Sequence, residues 1–369
     1  MTEVKRCARC VMDDRSDSFI RFDENGVCNY CTDALRQREG WYFPNEEGAR
    51  KIEQMIQMLK KEGQGKKYDC LMGLSGGLDS SYLAYLGAAK WGLRIAAVHI
   101  DDGFDTEISK SNIRRLCEKA NIELITITPD AKQFNALTKA YMKAGVPNLA
   151  VPQDNVLFAF LYKFARENKI KYFLSGSNYA LECILQKGNT WWAYDLTNIR
   201  DIHKKFGEEP IDKLEFISSI RYALDKRVLG QVTLRPLNYI DYNRDRAFKE
   251  LEEFCGFEYY GRKHLENYLT AFAQLYWFPK KFNVDKRTSH LSSMIVSGQM
   301  TREQALEELA QPLYDEAYME KVKQLICQKL VMSPEELEAL VAAPGKQHTE
   351  YKTEFLMPAL KKVCHIFKK

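Results

Sequence analysis

One hexapeptide constrains the fold more than any other feature of the chain. Ser75-Gly76-Gly77-Leu78-Asp79-Ser80 follows an apolar run over 68–74 and leads into a helical pattern over 80–91. A strand that hands two glycines to a helix start lets several backbone N–H groups converge on one anion, and the helix adds its positive end. Ser75, Ser80 and Ser81 add hydroxyl donors for phosphate oxygens. Asp79 is unsuited to touch phosphate, because like charges repel, and makes sense as a ligand of Mg²⁺ beside it. The bland alternative is an ordinary Gly-rich strand–helix turn.

The chain around the loop keeps the same alternation. Strands read over 68–74, 94–100, 123–128 and 171–174, with helices over 80–91, 107–120 and 154–168. This predicts an α/β fold: a parallel sheet with right-handed crossovers and helices on both faces. Ligands of such sheets gather at the carboxyl ends of the strands, where Ser75, Asp101 and Ser175 stand. A helical stripe over 46–61 precedes the sheet, and 63–67 reads as a linker. Beyond about residue 238 the pattern is helical, with capping boxes at Thr301 to Gln304 and Ser333 to Glu336. The expected organisation is a zinc-ribbon-like four-cysteine module over 1–40, helix and linker over 41–65, the nucleotide domain over 66–240, and a helical region over 241–369 that contributes to the substrate site.

Four of the ten cysteines form two Cys-x-x-Cys pairs, Cys7/Cys10 and Cys28/Cys31, with seventeen residues between them. That spacing fits a four-cysteine zinc ribbon, and a strand-like alternation over 19–27 with an Asn-Gly turn would bring the pairs together. Forty residues bury too little surface to fold alone, so metal supplies what the core lacks. An iron–sulfur cluster or redox thiols are the alternatives; catalytic zinc is disfavoured, since four thiolates leave no open position. Cys70, Cys117, Cys183, Cys255, Cys327 and Cys364 are scattered singly and read as small buried hydrophobes.

Composition excludes several classes. The formal net charge is +4, from 54 basic and 50 acidic residues, too small an excess to argue for nucleic acid. No apolar stretch approaches the ~20 residues that span a bilayer. The first residues lack the apolar core of a secretory signal, so the cytoplasm is the expected compartment.

The hexapeptide between an apolar strand and a helix resembles the signature of the PP-loop ATP pyrophosphatases (adenine nucleotide alpha hydrolase-like). It differs from the Walker loop, Gly-x-x-x-x-Gly-Lys-Ser/Thr, which the sequence lacks. The resemblance implies ATP as substrate, cleavage between its α and β phosphates, and adenylation of a carbonyl or carboxylate oxygen before a nucleophile displaces AMP. It also implies that His99 to Asp102 edge the adenine and ribose, with Asp101 or Asp102 aiding the metal. The turn over 175–178, with Ser175 and Asn178, becomes a second nucleotide-facing turn. Plain strand-end turns are the alternative for each.

Two further stretches narrow the resemblance. Cys7-Ala8-Arg9-Cys10-Val11-Met12 with Gly26-Val27-Cys28-Asn29-Tyr30-Cys31 is similar to the start of the N-acetyl sugar amidotransferases. So is Lys280-Lys281-Phe282-Asn283-Val284-Asp285-Lys286-Arg287-Thr288-Ser289-His290-Leu291-Ser292-Ser293, followed by Ser297-Gly298-Gln299-Met300-Thr301-Arg302. That family is associated with acetamidino sugars of bacterial surface polysaccharides or flagellar glycans. The implied reaction adenylates the N-acetyl oxygen of a sugar, expected to be nucleotide-linked, and replaces it with ammonia. Lys281, Lys286 and Arg287 would meet the negative charge that develops on phosphate, and His290 would carry a proton or donate a hydrogen bond. A solvated basic loop is the alternative. Arg235, after a strand-like run over 231–234, would meet a carboxylate or phosphate of the substrate.

No glutaminase is visible: residue 2 is Thr2 rather than a nucleophilic cysteine, and no cysteine sits in a Gly-x-Cys-x-Gly elbow. The resemblance therefore implies a separate glutaminase and a companion barrel that channels ammonia. The rival reading is a tRNA-modifying PP-loop enzyme, which shares the loop and often carries Cys-x-x-Cys pairs; a basic, aromatic-interleaved RNA-binding segment is not apparent. A non-catalytic nucleotide-binding scaffold is the third reading, and such a scaffold has no need of Asp79.

Overall fold

In the computed structural model, which describes residues 4–261 and 265–354, five parallel strands form the centre. Thr2 and Cys364 lie outside the described residues. The strands are β1 (Cys70–Gly73), β2 (Ile95–Ile100), β3 (Glu123–Ile127), β4 (Tyr172–Leu174) and β5 (Val232–Leu234), in the spatial order β3-β2-β1-β4-β5. Cys70 pairs with Ile95 and Leu71 with Phe173, so β1 sits between β2 and β4. The chain winds outward in both directions from β1, and the crevice beyond its carboxyl end is the switch point where such sheets bind ligands.

Strand period explains the two covered faces. Cys70, Met72 and Leu74 point with Ile95 and Ala97 into one core, while Leu71 points with Ala96 and Val98 into another. Before the sheet come α1 (Asn29–Trp41) and α2 (Glu46–Glu62). The first core is closed by α3 (Leu78–Tyr85) and α4 (Glu107–Ala120). Between the strands that follow run α5 (Ala131–Ala144) and α6 (Val151–Glu167), and Leu161 and Ala165 of α6 close the second core. Helix α5 lies outside the elements read from the sequence; most of its residues, Lys139 and Tyr141 included, are buried, while Ala131 and Lys132 at its start are exposed.

Residues 63–67 do not hang free as a linker. Arg94 donates to Gly63 O at 2.8 Å and Lys66 O at 2.6 Å, and holds the carboxylate of Asp69, which is buried. The expected hairpin over 19–27 is reduced to one antiparallel bridge, Phe22 to Cys28. Asp23 Oδ1, accepting from Asn25 and Val27 at 2.9 and 2.8 Å, folds the turn in place of a ladder.

The remainder is helical: α7 (Tyr179–Glu182), α8 (Leu196–Phe206), α9 (Ser219–Arg227), α10 (Arg244–Cys255), α11 (Tyr268–Phe272), α12 (Phe278–Phe282), α13 (Arg287–Ser297), α14 (Arg302–Ala310), α15 (Glu316–Leu330) and α16 (Pro334–Ala342). Thr301 and Gln304 complete the expected capping box of α14, and Ser333 caps α16 by accepting from Glu336 N. Among the described residues, no helix is long and apolar enough to cross a membrane.

Candidate active site

The hexapeptide turns at the carboxyl end of β1 and starts α3. Gly76 has φ +77°, and a Cβ there would meet Ser109 Oγ at 2.3 Å, so the turn requires glycine. Ser109 of α4 fixes the turn by donating to Ser75 O at 3.1 Å. Within the loop Gly77 N donates to Ser75 Oγ at 3.2 Å, and the Ser75 and Ser80 hydroxyls lie 3.2 Å apart. The turn after β4 packs on it so closely that a Cβ on Gly176 would lie 3.0 Å from Ser80 N. Two strand ends thus meet around one concave backbone surface, which fits a polyphosphate.

Asp79, in the first turn of α3, accepts a hydrogen bond from the hydroxyl of Tyr242. Burial, and next the charge of Asp79, hold the Tyr242 phenol well above its usual range, so it remains a donor. Tyr260 accepts from Leu78 N at 2.8 Å. Glu266, buried between chambers, approaches Gly77, where a Cβ would lie 2.7 Å from its Oε1.

Two chambers open on the loop. The first, about 370 Å³, is bounded by Ser75, Gly77, Asp79 and Ser80 on one side and by Lys286, Arg287 and His290 of the α13 start on the other. Tyr259, Tyr260 and Phe257 form an aromatic wall beside Arg244. The second, about 320 Å³, lies over the carboxyl ends of β1, β2 and β4 and takes in His99, Asp105 and Ser175. Glu266 and Gly176 border both.

In the second chamber His99 is buried, with Nδ1 2.9 Å from Leu74 O and Nε2 3.2 Å from Asp105 Oδ2. Burial pulls its pKa down, but the Asp105 carboxylate and the Leu74 carbonyl outweigh this and raise it. Asp102 accepts from Gln153, Phe104 N and Asn267, and burial, then Asp105, push its pKa up to about 7. Asp101 accepts from Gly103 N at 3.1 Å, a strand-end turn.

The basic segment divides. Lys286 opens onto the first chamber with intermediate exposure, and burial pushes its ammonium down to about 8, with Asp17 opposing. Arg287 faces the same chamber but is engaged in structure: it grips Asp285 at 2.8 Å and donates to Glu308 O and Gln311 O at 2.9 and 3.0 Å, closing the end of α14. Arg287→Met is therefore expected to cost about 2–4 kcal/mol of stability, read by chemical denaturation. Lys281 is held away from the loop, donating to Leu340 O at 2.8 Å and Ala343 O at 2.5 Å at the end of α16. Asn178 is buried and caps α7 through Leu181 N at 2.9 Å, and Ser81 is buried behind the loop. Arg235 lines a separate pocket with Ser175.

The four knuckle cysteines are fully buried, with Cys7 and Cys31 Sγ 4.0 Å apart, Cys10 and Cys28 Sγ 3.8 Å apart, and all four within 4.8 Å. Zinc–sulfur bonds of about 2.3 Å in a tetrahedron set sulfurs about 3.8 Å apart, so the set fits Zn²⁺. Cys28 N donates to Cys7 Sγ at 3.2 Å and Met12 N to Cys10 Sγ at 3.4 Å, as suits thiolate acceptors. Among the described residues no such cluster of three carboxylates forms near Asp79. Asp79 with Glu182 on the same chamber fits Mg²⁺ instead, an ion held by one or two carboxylates and the phosphates it accompanies.

Sequence reasoning missed Tyr242, Tyr260, Glu266 and Asp105. The first three stand 163–189 residues from the atoms they serve, and no local pattern marks them.

Two family models match separate parts of the chain. Residues 69–180 match the queuosine biosynthesis protein QueC, and residues 266–363 match the C-terminal domain of the LPS biosynthesis protein WbpG-like family. An uncharacterised protein of Methanocaldococcus jannaschii is 27% identical over 126 residues, which is 34% of this chain and 43% of that protein, so less than half of the relative is spanned. Among solved structures, NMN synthetase from Francisella tularensis is similar at a TM-score of 0.38 and 17% identity, over 72% of this chain and 90% of the other. The NH3-dependent NAD synthetase from Campylobacter jejuni is similar at 0.29 and 19% identity, over 56% and 83%.

Proposed function

We propose that this chain, a member of the PP-loop ATP pyrophosphatase superfamily with a WbpG-like C-terminal domain, is an ATP-dependent amidotransferase acting on an N-acetyl sugar. The observation that carries the reading is the first chamber, where the phosphate loop faces Lys286 and His290 of the WbpG-like segment. One half supplies nucleotide chemistry, the other the acceptor.

In this reading ATP lies with its adenosine toward His99 and its phosphates on the loop. The N-acetyl oxygen attacks the α phosphorus, the bond to the β phosphate's bridging oxygen breaks, and pyrophosphate leaves. Ammonia then adds to the activated carbon, the carbon–oxygen bond to AMP breaks, and one proton is lost, giving an acetamidino sugar. The amide oxygen is a poor leaving group; adenylation makes it a good one. Mg²⁺, held by Asp79 and phosphate, would offset negative charge when bound. Tyr242 aims the Asp79 carboxylate, Lys286 meets the charge on the transferring phosphate, and His290 is placed to move a proton.

The test is to supply ATP, Mg²⁺ and ammonium with nucleotide-linked N-acetyl sugars. Loss of one oxygen and gain of one NH in product mass, with one AMP per product, is the expected result. ATP turnover that ignores every such sugar, or tRNA retention at physiological salt, would favour the RNA-modifying rival instead. Ammonia is expected from a separate glutaminase and channelling barrel; turnover on glutamine by the purified chain would remove that partner from the proposal.

Lys286 gives the reading a pH signature. Its ammonium is lost as pH rises through about 8, so kcat/KM is expected to fall above that pH. Lys286→Met should be slower by about 10²-fold and lack that limb. Competitive anhydride labelling read by mass spectrometry should place the titration of Lys286 well below that of surface lysines, near 10.4.

A further inference from the structure

A third cavity, about 260 Å³, lies between α6, α9 and the β4–β5 edge and meets the second chamber at Ser175. Its walls are aromatic: Tyr194 and Tyr222 stack with centroids 4.0 Å apart, and Tyr162 meets Tyr222 edge-on at 5.6 Å. Three cations line the same space: Lys226, Arg235 and Lys171, the last paired with Glu62 at 3.9 Å. Lys226 lies 5.8 Å from the Tyr222 ring centroid and donates to Thr233 Oγ1 at 2.7 Å; Arg235 lies 5.6 Å from the ring of Trp41.

Charge balance is what sets this cavity apart from core. Among the described residues neither Lys226 nor Arg235 has a carboxylate partner. The nearby acid, Asp225, is engaged by Arg166 at 2.7 Å and Arg221 at 3.1 Å. Burial, and next the charge of Arg235, push the Lys226 pKa down. Two like charges in an aromatic cleft are costly unless an anion joins them. Gln231 adds an independent sign: it is buried and lines the cavity, and its Oε1 has no hydrogen-bond partner among the described residues. An orphan acceptor of this kind asks for a donor such as a hydroxyl.

We propose that this cavity is a second ligand site, separate from the pyrophosphate loop, for a hydroxylated ring carrying a phosphate or carboxylate. Lys226 and Arg235 bind the anion, Tyr222 and Tyr162 cover the ring face, and Gln231 accepts from a ring hydroxyl. The volume suits one ring with its charged substituent, being below the ~300–1,000 Å³ of sites for drug-sized ligands. Contact at Ser175 puts the occupant beside the nucleotide chamber. The proposal concerns binding alone and does not depend on the amidation chemistry.

The test is calorimetry on the full chain with the loop first saturated by α,β-methylene-ATP and Mg²⁺. Glucose 1-phosphate, glucuronate, glucose and inorganic phosphate are the probes. At least one of the two ring anions should bind with saturation and glucose should not; which ring anion binds tells phosphate from carboxylate. Lys226→Met and Arg235→Gln should each weaken binding about tenfold or more. Tyr222→Ala should weaken the ring anion but not inorganic phosphate, and each variant should keep the parent's melting temperature. No binding by either ring anion, binding untouched by both charge variants, or ring-anion binding that appears only in a parallel titration without the ATP analogue would each overturn the proposal.

Discussion

Asp79→Asn is expected to lower pyrophosphate release at least about a hundredfold while leaving the fold intact. The substitution keeps an acceptor for the Tyr242 hydroxyl, so no buried donor is orphaned, and removes only the charge. Its stability cost should stay within the ~0.3–1 kcal/mol that an acidic residue contributes in the first turn of a helix. Asp79→Ala would confuse the two effects, because Tyr242, 1% exposed, would lose its partner at about 1–3 kcal/mol. Tyr242→Phe separates them further: it keeps the charge but removes the hydroxyl that aims the carboxylate, so the Mg²⁺ concentration for half-maximal rate should rise. Pyrophosphate release measured across Mg²⁺ concentrations gives both results. Release unchanged in Asp79→Asn would remove the Asp79 charge from the catalytic machinery, and no release from the parent chain would return it to a nucleotide-binding scaffold.

Losing the metal knuckles should be the other large effect. Cys10→Ser, or prolonged chelation, is expected to lower the unfolding midpoint by about 10 °C or more and to abolish turnover. Zinc supplies ~10–16 kcal/mol of apparent binding energy in small Cys/His modules, comparable to the whole stability of a domain. The module is also built into the site. Arg302 donates to Cys10 O at 3.2 Å and Cys7 O at 3.1 Å, Val11 N donates to Ser292 Oγ at 3.2 Å, and Val11 packs with Leu291 and Ala305. Leu291 and Ser292 belong to the helix that begins beside Lys286. Metal analysis should find one zinc per chain. A metal-free chain with an unaltered midpoint and protease-resistant knuckles would refute the structural role.

Features governed by short-range physics were legible in the sequence. The glycine turn with φ +77° at Gly76, the knuckle spacing and the strand periods of β1 and β2 each follow from a few adjacent residues. Longer-range matters were not. Lys281 and Arg287 look equivalent to Lys286 as basic residues in one segment, yet helix-end carbonyls 21–62 residues away claim the first two. Which cation faces the loop depends on where α14 and α16 end, and neither end is written near 281–287. Likewise Asp79 gained Tyr242 from beyond the sheet.

The clamp of Arg302 on the first knuckle also orders events during synthesis. Cys7 and Arg302 are 295 residues apart, so the cysteines leave the ribosome long before their dock exists. At about 5–20 residues per second the knuckles wait tens of seconds with Val11 uncovered. The knuckles are complete in sequence from Cys31 onward, so metal capture is open to them early, whereas docking waits for Arg302.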